Sequence, residues 1–304
     1  QPDYVWLKQV NNPTAYGHQN FDVIRGATNY LVPNTNAAEN DGNPSYGDQT
    51  LLSFDSDGFS IGTSDTINEN GYQVAGWNWK AGGAPSSNND GTITSSVSVN
   101  TTAGFSIVSY TGTGSNTDSV GHGLTTVPEC IVVKNLAGGQ SWKLWTPFFA
   151  ATQAYVLTWD TDAGVENNVS YFYNAAPTAT RFNPGDGGAT NGNGASYIAY
   201  CWDNIEGYSK CGTYKGNGNK DGAFAYTGFR PAYLWLKSAG SWANGHWHVF
   251  DNKRYPYNQT SNTTTTGIVI DEAANTGGGG GEGCGPIDIL SNGFMLRATN
   301  GNGN

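Results

Sequence analysis

The chain is predicted to be all-β, a tandem array of antiparallel β-sandwich units of jelly-roll type, and three observations predict it. Helical periodicity is nearly absent: Leu, Ala, Glu and Lys do not cluster, and Gly or Pro interrupts almost every dozen residues. Less than about a tenth helix is expected, against the usual third. Short apolar and aromatic runs alternate with turn residues, the pattern of strands joined by tight connections. The same pieces also recur along the chain, and internal repetition outranks local propensity as a guide to architecture.

The clearest recurring piece is a Pro-led run closed by a Lys: PDYVWLK at 2–8, PECIVVK at 128–134 and PAYLWLK at 231–237. Each reads as a strand. Alternation puts Val5, Leu7, Ile131, Val133, Leu234 and Leu236 on one face and Tyr4, Trp6, Tyr233 and Trp235 on the other, so both faces are apolar, as in a strand covered on both sides. A Tyr followed by a Gly-rich turn precedes two of these strands, in GFSIVSYTGTG at 104–114 and CGTYKGNG at 211–218. A closing piece follows two of them, GYQVAGWNW at 71–79 and SYIAYCW at 196–202. SFDSDGFSIG at 53–62 and ILSNGFMLR at 289–297 carry Asp-Gly or Asn-Gly between apolar runs, the strongest short-range hairpin signal. These pieces divide the chain into units at 1–83, 102–207 and 208–304, with 84–101 as a linker in which ITSSVSV is able to add an edge strand. Unit 2 holds every piece. Unit 1 lacks the opening Tyr/Gly piece and unit 3 lacks the closing Tyr/Trp strand, so the parent polypeptide is expected to continue on both sides, or another subunit to donate these strands.

Composition narrows the function classes. Charged residues are only 12% of the 304, aromatics 13%, and Gly reaches 43, which describes an Asn/Ser/Thr/Gly surface around an aromatic interior rather than a disordered chain. The net charge of −10 repels a phosphate backbone, so nucleic acid is not expected as a partner. No run approaches the roughly 18 apolar residues of a membrane span, and no membrane insertion is expected. Cys130, Cys201, Cys211 and Cys284 are too scattered for a disulfide framework. Buried thiols are the default, with a Cys201–Cys211 bridge as the alternative.

The motifs FDVIRGATNYL, LLSFDSDGFSIG, GFSIVSYTGTG, VGHGL, IEGYSK, FAYTGFRPAYLWLK and ILSNGFMLR together resemble concanavalin A-like or laminin G-like repeat domains in structural and tail-fibre proteins of marine bacteriophages. The resemblance covers nearly the whole chain and implies a virion component: a tail fibre, capsid fibre or other appendage. Other virion proteins, a further copy of the chain in a homo-oligomer, and a host surface glycan are the implied partners. It brings no functional residues with it, and GGGGG at 277–281 departs from it. A secreted lectin or cell-surface adhesin is the second reading, a glycan hydrolase the third.

Several residues carry a chemical signature. GFSIG at 58–62 matches G-x-S-x-G formally, but a nucleophile elbow needs a strand entering a helix, and here a hairpin turn is predicted. Asp55, Asp57 and Gly58 have the spacing of a calcium loop, yet the equivalent SNGF keeps only the turn chemistry. His246 and His248 alternate like the start of a zinc site, without two further ligands at recognisable spacing. Glu39, Glu69, Glu129, Glu166, Glu206, Glu272 and Glu282 are dispersed, whereas glycoside hydrolysis needs a close carboxylate pair. No catalytic residue, metal or cofactor is therefore expected. Trp6, Trp77, Trp202 and Trp235 recur at equivalent places and are read as core. Trp142, Trp242 and Trp247 are left as the candidate ligand-binding residues, because a flat indole in a Gly- or Ser-rich loop suits a sugar face.

Overall fold

The three Pro-led segments all form strands, and everything else in the fold is arranged about them. The structure, a computed structural model, describes residues 1–40, 49–149, 154–173, 175–240, 245–254, 268–273 and 286–297. Unit 1 contains β1 (Tyr4–Gln9), β2 (Gln19–Asp22), β3 (Leu51–Asp55), β4 (Gly58–Ile61), the single-turn helix α1 (Asp65–Asn68) and β5 (Val74–Trp79). Next come β6 (Ser86–Asn88), β7 (Ser95–Asn100), β8 (Phe105–Thr111), β9 (Val120–Gly121), β10 (Cys130–Asn135), β11 (Lys143–Trp145), β12 (Tyr155–Thr158), β13 (Glu166–Asn167), β14 (Arg181–Phe182) and β15 (Ser196–Trp202). Unit 3 adds β16 (Phe224–Tyr226), β17 (Tyr233–Lys237), β18 (Trp247–Asp251), β19 (Ile268–Val269), β20 (Ile287–Leu290) and β21 (Gly293–Leu296). The fold is all-β with several antiparallel sheets, and no described helix is long and apolar enough to cross a membrane.

Sheet order repeats with the sequence. β1 lies between β2 and β5, and β10 lies between β11 and β15 in the eight-stranded sheet β13-β12-β11-β10-β15-β8-β7-β6. β17 pairs with β18 on one side, and no described strand pairs with its other side. Residues 84–101, expected as a linker in which ITSSVSV is able to add an edge strand, supply β6 and β7, and β7 pairs with β8 along five registered positions from Ser96–Ser109 to Asn100–Phe105. Alternating β-branched residues there bury Ile93 and Val97, which a Ser/Thr-rich composition conceals.

Packing explains why both faces of the Pro-led strands are apolar. Val5 and Leu7, Ile131 and Val133, and Leu234 each face a core belonging to their own unit. The opposite faces, Tyr4 and Trp6, Cys130 and Val132, and Tyr233 and Trp235, all point into one common core. Trp159 of unit 2 sits between Trp6 of unit 1 (ring centroids 5.4 Å) and Trp235 of unit 3 (4.9 Å), and Trp77 of unit 1 meets Tyr233 at 6.0 Å. The units thus share an interior instead of standing in tandem as separate sandwiches. An aromatic interior this continuous is a large apolar payload for a chain with few charges.

The closing lysines join the units in a ring. Lys8 Nζ donates to Tyr16 O and, at 3.2 Å, to Ala273 O of unit 3. Lys134 donates to Asn135 O, Gln140 O and, at 3.4 Å, Asn36 O of unit 1. Lys237 donates to Gly245 O and, at 3.2 Å, Thr161 O of unit 2. Unit 1 reaches unit 3, unit 2 reaches unit 1, and unit 3 reaches unit 2.

Burial lowers the pKa of all three ammonium groups from 10.5 to about 8. The unfolded chain therefore holds more protons than the folded one between about pH 8 and 10.5, and this contribution to stability rises with pH across that window. Tyr4, Tyr110 and Tyr200, which burial holds well above 10.0, reverse the trend above that value. On the acid side, burial lowers His18 and His248 from 6.5 to about 3, so stability is lost as pH falls through that interval. Cys130, Cys201 and Cys211, which burial raises above 9.0, oppose the lysines from that value upward, so melting followed by circular dichroism is expected to show a temperature maximum near pH 9, by the same linkage. A flat profile from pH 7 to 9 would mean that the lysines are solvated.

Candidate functional site

The sequence candidates are placed by the fold as follows. Trp142 is 0% exposed and Trp247 3%, so neither offers a ring face to a sugar; Trp242 lies outside the described residues. Their role is visible in register. Trp142 and Trp247 begin or immediately precede the strand that pairs with β10 and β17, and His18 holds the same place before β2. Each sends a ring nitrogen to a backbone carbonyl of a neighbouring unit: Trp142 Nε1 to Thr35 O at 3.1 Å, Trp247 Nε1 to Thr158 O at 2.8 Å, and His18 Nε2 to Val269 O at 2.9 Å. Because Val269 O accepts, His18 carries its proton on Nε2, and its Nδ1 accepts from Trp6 Nε1 at 2.9 Å. These contacts run in the same cyclic direction as the lysines. Trp142 and Trp247 are staples between units.

The other chemical candidates are also accounted for. GFSIG falls on β4, within a β3–β4 hairpin, where Ser60 Oγ donates to Asp55 Oδ2 at 2.7 Å and Ser53 Oγ to Asp55 Oδ1 at 2.7 Å. Those two hydroxyls lower the Asp55 pKa. His246 and His248 meet edge to face with ring centroids 6.4 Å apart, but His246 Nδ1 lies 2.9 Å from Asp271 Oδ2 and His248 is buried in β18. Among the described residues, no group of three or more His, Cys, Asp or Glu is placed to hold a metal ion. Cys130, Cys201 and Cys211 are free thiols, so no Cys201–Cys211 bridge is present, and burial pushes Cys201 and Cys211 up to about 12. Cys284 and the GGGGG run lie outside the described residues.

The described residues form a groove of about 1710 Å³. One wall is β5, the other β17, and Trp159, Trp202 and Trp235 contribute to its lining. At its edge, Tyr208, Phe224 and Tyr226 are 59%, 43% and 67% exposed, an unusual display for rings of this size. Its volume exceeds the ~300–1,000 Å³ typical of small-molecule pockets. Sequence reasoning missed these three aromatics because FAY and GYS look like ordinary strand and turn pieces. Their exposure depends on which sheet edge remains open, and that is a property of the assembled units.

Several antiparallel sheets around one aromatic core, with an aromatic-lined groove beside a strand edge that no described strand covers, define the class of protein. A family model described as Domain of unknown function (DUF7483) matches residues 1–304, and the chain belongs to that family. No curated protein and no solved structure matches the chain.

Proposed function

We propose that this chain is a structural and binding component of a bacteriophage virion, part of a tail fibre, capsid fibre or other appendage, rather than an enzyme. The reading takes its sheets as variants of the jelly-roll, concanavalin A-like sandwich that the motifs resemble. The observation that carries it is the groove edged by Tyr208, Phe224 and Tyr226. Exposed aromatics beside a concave apolar surface are what a partner covers. A rigid body joined by cyclic staples suits a load-bearing appendage. Neighbouring virion subunits, including further copies of the chain, or a host surface glycan are the partners in this reading.

A secreted lectin or adhesin is the second reading, favoured by the hydroxyl-bearing rings of Tyr208 and Tyr226, which suit a sugar face and its hydroxyls. Mass spectrometry of gradient-purified particles from the source separates the two. Peptides of this chain should sediment with the particles in constant ratio to the capsid protein. Recovery only from the particle-free fraction would overturn the virion assignment and favour the lectin.

A further inference from the structure

We infer that the edge of β17 with which no described strand pairs is a docking site for an extended strand of a polypeptide other than this chain, one that carries a Tyr or Trp at the place facing Trp235. The inference deepens the assembly reading above and rests on it for the source of the strand, while its chemistry follows from the other two units.

In unit 1, Val10 N donates to Gln73 O, which by the alternation of an antiparallel ladder turns the backbone groups of Tyr4, Trp6 and Lys8 toward β5. In unit 2, Leu136 N donates to Ser196 O, and Cys130, Val132 and Lys134 turn toward β15 in the same way. In unit 3, Asn252 N donates to Ala232 O, so Ala232, Leu234 and Leu236 face β18. Tyr233, Trp235 and Lys237 therefore point their N–H and C=O groups into the groove, at the register positions that bond a closing strand in the other two units. No described strand receives them. A bare edge is a template for strand addition.

A side-chain contact identifies what the missing strand must bring. Opposite Val132 in unit 2 stands Tyr200, whose hydroxyl donates to Asp22 of unit 1 at 2.8 Å. Opposite Trp6 in unit 1 stands Trp77, whose Nε1 donates to Asp251 of unit 3 at 3.2 Å. By the same register, the strand opposite Trp235 would meet the residue of unit 2 that corresponds to Asp22 and Asp251, which is Thr146. Thr146 lines the groove, and its Oγ1 is buried without a hydrogen-bond partner. The acceptor is in place for a donor ring that none of the described residues supplies. The hydroxyls of Tyr4, Ser106 and Tyr233 are likewise buried without a partner, and it is the register shared with Asp22 and Asp251 that singles out Thr146.

The test uses the chain of 304 residues and a fluorescein-labelled peptide with the sequence of residues 195–203, carrying Cys201→Ser against oxidation. Anisotropy should report saturable binding at least about tenfold tighter than that of a scrambled peptide, a difference of ~1.4 kcal/mol. Tyr200→Phe in the peptide should weaken binding about fivefold, Thr146→Val in the chain should do the same, and the two together should lose no more than either alone. Hydrogen exchange at the amides of Tyr233, Trp235 and Lys237 should be fast in the free chain and slow with peptide. Equal binding of the scrambled peptide, or no effect of Thr146→Val on the Tyr peptide, overturns the inference. So does protection of those amides before peptide is added, which would mean that another part of the chain covers the edge. Dimerisation that the peptide displaces would assign the edge to a second copy and overturns it likewise. None of these outcomes bears on whether the chain is found in particles, and its absence from particles would leave the peptide result standing.

Discussion

Asp22→Ala is expected to destabilise the chain by about 3–5 kcal/mol, the range for breaking a buried ion pair by removing one member. Asp22 is 0% exposed and the Arg25 side chain 3%. The carboxylate does four jobs: Oδ1 accepts from the backbone N–H of Ile24 and Arg25, and Oδ2 accepts from Arg25 Nε at 2.5 Å and Tyr200 Oη at 2.8 Å. Burial works against the charge on Arg25, but Asp22, Tyr200 and Glu39 together hold its pKa above the ordinary value. With Asp22 gone, a buried guanidinium would keep one charged partner, Glu39 at 3.2 Å, and the turn after β2 would lose its cap. The same arrangement recurs at Asp251 and Arg254, with side chains 7% and 12% exposed, so Asp251→Ala is expected to cost less. Urea unfolding measures both. A lower midpoint at unchanged slope reports lost stability. A loss under about 1 kcal/mol for Asp22→Ala would mean that water reaches Arg25.

Strands, and which face of each strand is which, were legible in the sequence because alternation is local. The separate destinations of the two faces were not. Val5 and Trp6 are both apolar, and nothing in PDYVWLK says that one faces a core private to its unit and the other a core shared by all three. The ring of staples was hidden for a related reason. Each staple ends on a backbone carbonyl, of Thr35, Thr158 or Val269, and carbonyls leave no mark on side-chain identity. The repeat was masked further because His18 stands where the other units have Trp142 and Trp247. Lys8, Lys134 and Lys237 are the instructive case: their recurrence is plain in the sequence, while a lysine after a strand ordinarily reads as a solvated end. The orphan hydroxyl of Thr146 emerges only once three units are seen in one register.

Trp142→Ala should cost a further 3–5 kcal/mol or so, the usual range for emptying a buried indole site. The same indole was the natural sugar platform by sequence, so this variant separates a core role from a binding role. Its ring packs edge-on to Trp159 at 5.0 Å, and its Nε1 holds Thr35 O of unit 1. Removal would open a void beside the shared core and leave that carbonyl unpaired. Trp142→Phe refills much of the volume without the donor, so most of its remaining loss, about 1 kcal/mol, would belong to the hydrogen bond between units. Tyr226→Ala is the contrasting variant. At 67% exposure it should change stability by no more than about 0.5 kcal/mol, as expected for a surface site, while weakening whatever partner covers the groove. Urea midpoints for the three variants decide the role of Trp142: a stable Trp142→Ala protein would return that indole to the surface, and an unstable one with Tyr226→Ala unchanged in stability places the indole in the core and the tyrosine outside it.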